Sequence, residues 1–153
     1  MMKKIIYIFP IIVIALIAFV PVIVFSFDTS YFIEVSKKYA PKNFEPQNEG
    51  NSEGFEGINF KNLNYPKETY FVGYTSEKSM NVNSAIANGF KPSTINDKKA
   101  AILDDYDFAI IANSAKVNII IVTELNSPSD QFKQQLKEII SAIDKELSNK
   151  VQR

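Results

Sequence analysis

Tyr106–Leu125 reads YDFAIIANSAKVNIIIVTEL, and the chain continues as NSPSDQFKQQLKEIISAIDKELSNKVQR to Arg153. Two apolar runs, Phe108–Ala112 and Val117–Val122, flank Asn113–Lys116, a spacing that predicts a β-hairpin with a four-residue loop. Ile119, Ile120, Ile121 and Val122 are consecutive, and successive strand residues point to opposite faces. A strand apolar on both sides is expected in the middle of a sheet with both faces covered. The stretch after it predicts a long helix. Ser127 is placed to cap it, with Pro128 at the first helical position and Asp130 three residues after the cap. Phe132, Leu136, Ile139, Ile140, Ile143, Leu147 and Val151 recur at helical spacing as one apolar stripe, with Lys and Glu on the opposite side. The hairpin offers that stripe a surface within the same chain.

Upstream, GINFKNLNYPKETYFVGYTS holds two strand-like runs, about Ile58–Leu63 and Glu68–Thr75, parted by Tyr65-Pro66. NVNSAIANGF predicts a brief helical turn closed by Gly89. After Pro92, Thr94 and Asp97 stand three apart, an acidic form of the capping box, and predict a short helix to about Leu103. Asp28–Ala40 predicts a short helix with Tyr31, Phe32, Val35 and Tyr39 on one side, a strand through Tyr31, Ile33 and Val35 being the alternative. Pro41–Gly57, PKNFEPQNEGNSEGFEG, has the composition of a solvated spacer.

The amino-terminal stretch sets the address. From Ile5 to Phe27 no residue is charged, and Lys3 and Lys4 precede the run while Asp28 follows it. As a helix it would be about 35 Å long, enough for a hydrocarbon core of about 30 Å and longer than the centre of a cleaved secretory signal. A retained anchor is expected, with cleavage after Ser26 as the alternative. Pro21 inside the run is tolerated better in a membrane than in water. The leading lysines place the amino terminus in the cytoplasm and the rest outside, in a single-pass protein of the cell membrane. Tyr7 and Phe9 at one end, and Phe25, Phe27, Tyr31 and Phe32 at the other, suit an interfacial belt.

The expected organisation is an anchor over 1–27, a juxtamembrane segment and flexible linker over 28–57, and an extracytoplasmic domain over 58–153. The fold class is α+β: a single transmembrane helix, then a small domain whose mostly antiparallel sheet is packed by the long carboxyl-terminal helix. Its element order resembles that of several small sandwich domains, roadblock and longin types among them; no functional residue follows from that likeness.

Composition narrows the chemistry. The 153 residues include no histidine, cysteine or tryptophan, and Arg153 is the sole arginine. Thiol and imidazole catalysis and nitrogen–sulfur zinc sites are thereby excluded, as are disulfides. No Gly-rich phosphate loop occurs, and no basic patch invites nucleic acid. Asp104, Asp105 and Asp107 in LDDYD could hold a hard cation or form an acid–base pair, but aspartates also favour turns. Glu45, Glu49, Glu53 and Glu56 lack the spacing of a calcium loop. Ser76, Lys78 and Ser79 would need a buried lysine to act as nucleophile and base. No catalytic residue, metal or cofactor is assigned.

The expected function is therefore that of a non-catalytic accessory or scaffold domain, tethered to the lipid bilayer and docking on another membrane or surface protein. A ligand-binding or sensor domain working with a membrane partner is the alternative, and a carboxylate-dependent hydrolase ranks last. Phe55, Phe60, Tyr65, Tyr70, Phe71 and Tyr74 crowd one stretch, where alternation sends Tyr70 and Tyr74 to one face and Phe71 to the other. Tyr70 and Tyr74 are the expected partner contacts, because tyrosine joins a large apolar ring to a polar tip.

Overall fold

The computed structural model describes residues 27–151. Among them are three helices and seven strands. They run α1 (Thr29–Tyr39), β1 (Phe44–Ser52), β2 (Phe55–Asn62), β3 (Thr69–Thr75), α2 (Val82–Ala87), β4 (Lys91–Ile95), β5 (Lys98–Asp104), β6 (Phe108–Ser114), β7 (Val117–Thr123) and α3 (Asp130–Val151). The strands form one sheet in the order β1-β2-β3-β7-β6-β5-β4, antiparallel at every pairing. Two meanders, β1–β3 and β4–β7, meet where β3 pairs with β7. The segment carrying α2 crosses from the middle of the sheet to its far edge, and the chain then returns strand by strand.

The small α+β domain with a mostly antiparallel sheet and a carboxyl-terminal helix is as the apolar patterns dictate. The Tyr106–Leu125 hairpin forms with β7 at the sheet's centre. Pairing continues through Ser114 and Val117, so the loop is only Ala115–Lys116, with Ala115 at φ 48°. The stripe of α3 buries Phe132, Leu136, Ile139, Ile140, Ile143 and Leu147 over β6 and β7. Full burial of one such aliphatic side chain contributes about 1.5–3 kcal/mol. Val151, last of the stripe, is 48% exposed. Helix α3 starts two residues later than its cap signal suggests. Ser127 adopts φ 51° and donates its N–H to the Tyr106 carbonyl, while Ser129 Oγ accepts the Phe132 N–H at 3.2 Å and caps the helix. Both serines satisfy the capping rule, and the loop contact to Tyr106 decides between them.

Two expectations are corrected. Residues 94–103 are not helical: β4 and β5 form a hairpin, turned by Asn96 and Asp97 at φ 48° and 64°. Two successive left-handed residues make the turn that matches strand twist, and Asn and Asp tolerate that region. Lys98-Lys99-Ala100-Ala101 favours a helix intrinsically, but Ala100 and Ala101 are both 0% exposed, on opposite faces of the sheet. Ala100 packs into the core beneath α1 and α3, and Ala101 into the core beneath α2.

Residues 41–57 are likewise no spacer. They form β1, a tight turn at Glu53–Gly54 (φ 50° and 86°) and the start of β2. β1 is an edge strand with Phe44 its only buried residue, so main-chain bonds to β2 hold it and its composition carries no apolar pattern. Pro46 with a register irregularity in β1, and Pro92 in β4, guard the two sheet edges against further strand pairing.

Helix α1 forms as expected over Asp28–Ala40. It buries Phe32, Ile33 and Val35 against α3 and β2. The main core thus lies between the sheet and the α1–α3 layer, and gathers Phe32, Val35, Ile58, Tyr70, Ile119, Ile121 and the α3 stripe. A smaller core lies on the other face, under α2, around Phe55, Phe71, Val82, Ala101 and Ile111. No helix among the described residues is long and apolar enough to cross a membrane. The apolar run expected to do so lies outside the described residues, apart from Phe27.

Candidate functional site

The two faces of the sheet are covered unequally. Among the described residues, one carries α1 and α3, with 11 and 22 residues, and the other carries only the six-residue α2, set over β5 and β6. Alternation along β7 sends Ile119 and Ile121 into the main core at 0% exposure and leaves Ile120 and Val122 half-buried on the α2 side. Gly89, at φ +99°, ends α2, and the Phe90 N–H bonds back to the Ala85 carbonyl, carrying Phe90 onto the same face.

The result is an apolar groove beside α2. One cleft of about 280 Å³ has Phe55, Phe71, Phe90, Leu103, Ile120 and Val122 among its walls. A second, of about 260 Å³, shares Glu53, Phe55, Phe90 and Ile120 with it and continues past Met80, Ala85 and Asn88. The rim is polar, with Ser52, Glu53 and Asp107 beside the first cleft and Ser79 and Asn81 beside the second. Among the described lining residues none is basic, while Glu53 and Asp107 are acidic.

Tyr70 and Tyr74, the expected contacts, sit on the opposite face at 1% and 6% exposure, so neither forms a surface patch. Tyr70 stacks on Phe60 at 4.9 Å and lies 5.2 Å from Phe44. Tyr74 lies against Phe27 and Phe32 at 4.6 and 4.9 Å and donates its hydroxyl to Glu56 Oε2 at 2.8 Å. Thr29 Oγ1 hydrogen-bonds the same hydroxyl. Burial raises both phenol pKa values; at Tyr74 the bond with Thr29 opposes that shift and the bond to Glu56 adds to it. The aromatic cluster does contain groove residues, but they are Phe55 and Phe71, the set facing away from the tyrosines.

Tyr70 Oη is fully buried and has no hydrogen-bond partner among the described residues. An unsatisfied buried hydroxyl costs about 1–3 kcal/mol. Tyr70→Phe keeps the ring and removes that cost, so urea denaturation is expected to show a gain of about 1 kcal/mol. A loss of stability would mean the hydroxyl is bonded.

The acidic residues do not converge. Asp104 is held by Lys133 at 2.7 Å, Asp105 donates its N–H to the Asp107 carbonyl, and Asp107 reaches the groove rim. Glu49 pairs with Lys37 at 3.0 Å and Glu56 with Tyr74. Among the described residues no group of three or more acids is placed to hold a metal ion. Ser76, Lys78 and Ser79 lie in the exposed segment after β3. Asp144, 1% exposed on α3, receives Lys98 Nζ at 2.7 Å and Asn96 Nδ2 at 2.8 Å, and Lys98 also bonds Ser148. This cluster fastens the β4–β5 turn to α3.

No protein-family model, curated protein or solved structure matches this chain.

Proposed function

We propose that this protein is a membrane-anchored accessory module whose domain, held outside the cell, docks an apolar segment of another membrane or surface protein in the groove beside α2. The groove itself carries the reading: it is a continuous apolar trough on a sheet face that the helices among the described residues leave half open. Its two clefts, about 280 and 260 Å³, fall just below the roughly 300–1,000 Å³ of small-molecule sites. A chain segment lying along both uses that shape better than one compact ligand. The acidic rim favours a partner whose apolar residues are flanked by Lys or Arg. The uncharged run Ile5–Phe27, preceded by Lys3 and Lys4, supports the anchor and its orientation. A chain without histidine or cysteine supports binding rather than catalysis.

The test places a photo-crosslinking amino acid at Phe90 in the full chain, in its native membrane, with Asn59 and Lys61 on the exposed part of β2 as controls. A discrete protein adduct is expected from position 90 and not from the controls. Ile120→Lys combined with Val122→Lys should reduce that adduct at least tenfold. Long lysine stems can lie over the remaining apolar floor, so the stability change should stay near 1–2 kcal/mol. Equal adducts at all positions, or an adduct indifferent to the two lysines, would overturn the groove as the docking site. A small molecule captured at position 90 would favour the ligand-binding alternative.

A further inference from the structure

The apolar run and the folded domain meet without slack. Phe27 is the last residue of the run, and its ring lies 4.6 Å from Tyr74 and 6.2 Å from Phe32. Asp28 follows with non-helical backbone (φ −79°, ψ 97°), and its carboxylate accepts the Tyr31 N–H at 3.0 Å to cap α1. That bond holds the Asp28 carboxyl below its ordinary pKa. Helix α1 is therefore capped directly after Phe27, and Phe27 itself is fixed to the domain by packing.

Three elements end at this point: the start of α1, the β6–β7 turn and the last turn of α3. Phe27, Tyr31, Leu147 and Val151 wall a cleft of about 350 Å³ between them, with Lys116 and Lys150 also lining it. Lys150 Nζ stands 3.5 Å from the Tyr31 ring centroid and 3.5 Å from Asp28 Oδ2. Apolar and aromatic groups with long lysines at the edge suit the zone between hydrocarbon and water, where rings meet acyl chains and ammonium groups reach phosphates.

Resting on the anchored reading of Ile5–Phe27, we infer that this end of the domain sits in the headgroup layer of the bilayer, with Phe27, Tyr31 and Val151 against lipid and Lys116 and Lys150 toward the phosphates. The headgroup layer is about 5–8 Å deep on each side, and one residue of chain advances about 3.8 Å. A domain packed around the run's last residue has no length in which to stand clear. The opposite end is far off: at about 1.5 Å per residue, the 22 residues of α3 span roughly 33 Å. There lie the loops with Tyr65 and Tyr106, 65% and 62% exposed.

The chain has no cysteine, so single cysteines can be placed at will. Lys116→Cys and Val151→Cys mark the near end, Tyr65→Cys and Tyr106→Cys the far end. The full chain, labelled with a donor dye, is reconstituted in phosphatidylcholine vesicles carrying phosphatidylglycerol and a headgroup-linked acceptor. Energy transfer is expected to be several-fold stronger from 116 and 151 than from 65 and 106. Equal transfer from all four sites, as a loosely tethered domain gives, overturns the contact, as does stronger transfer from the far end. Flotation of the same vesicles separates the two readings. A chain that fails to float refutes the anchor and the contact with it, whereas one that floats with equal transfer refutes the contact alone.

Discussion

Replacing Ile140 with Asp is expected to abolish the cooperative unfolding transition. Ile140 is 0% exposed at the middle of the α3 stripe, among Leu136, Ile139 and Ile143. Losing its apolar burial costs about 2–3 kcal/mol. Placing a carboxylate there adds several more, whether the group stays charged and unpaired or takes up a proton to become neutral. Together these approach the whole stability of an ordinary domain, about 5–15 kcal/mol. Gln131→Asp, at an exposed position of the same helix, should change stability by no more than about 0.5 kcal/mol. Circular dichroism of both variants through a thermal melt, in the full detergent-solubilised chain, separates the cases. If Ile140→Asp melts with the parent, the stripe does not face the sheet and the packing of α3 is wrong.

The contrast between these positions follows from which parts of the fold could be read in the sequence. The α3 stripe was legible because six of its seven apolar residues enter one core at helical spacing. β7 was legible because its apolar residues are consecutive. β5 was not: Lys98-Lys99-Ala100-Ala101 carries helix-forming residues, and pairing with β4 and β6 and packing on both faces impose a strand. β1 was not, because an edge strand with eight exposed residues resembles a spacer in composition. The groove was half legible. Alternation separates Phe71 from Tyr70 and Tyr74, and crowding of aromatics marks the right stretch. Which face stays open depends on where α1, α2 and α3 lie, and such long-range placement leaves no local mark. Tyrosine's usual fitness for interfaces pointed to the side that the two longer helices cover.

The close approach of β2 and β3 makes Gly57→Ala the second severe substitution. Gly57 lies opposite Gly73 in β3 and opposite Gly50 in β1. A Cβ at Gly57 would stand 2.0 Å from the Val72 carbonyl oxygen and 2.6 Å from the Gly73 Cα. Both are main-chain atoms of a strand held on its other side by β7, so no side chain can swing away to make room. The strands must part, which weakens the ladder between them and disturbs Ile58 and Val72, both 0% exposed. The expected cost is about 3 kcal/mol or more, at the upper end for adding a methyl group to a filled site. At a typical slope for a small domain, that lowers the urea midpoint by more than about 1 M. Gly50→Ala is the matched control on the neighbouring strand. Nothing lies within 4 Å of its added Cβ, so the dominant effect is a less flexible unfolded chain, and stability should rise by up to about 1 kcal/mol. Opposite signs at two glycines paired with each other across one ladder would place the constraint between β2 and β3. A Gly57→Ala variant as stable as its parent would mean that these strands do not approach as described, and the groove floor built on Phe55 and Phe71 would fall with that register.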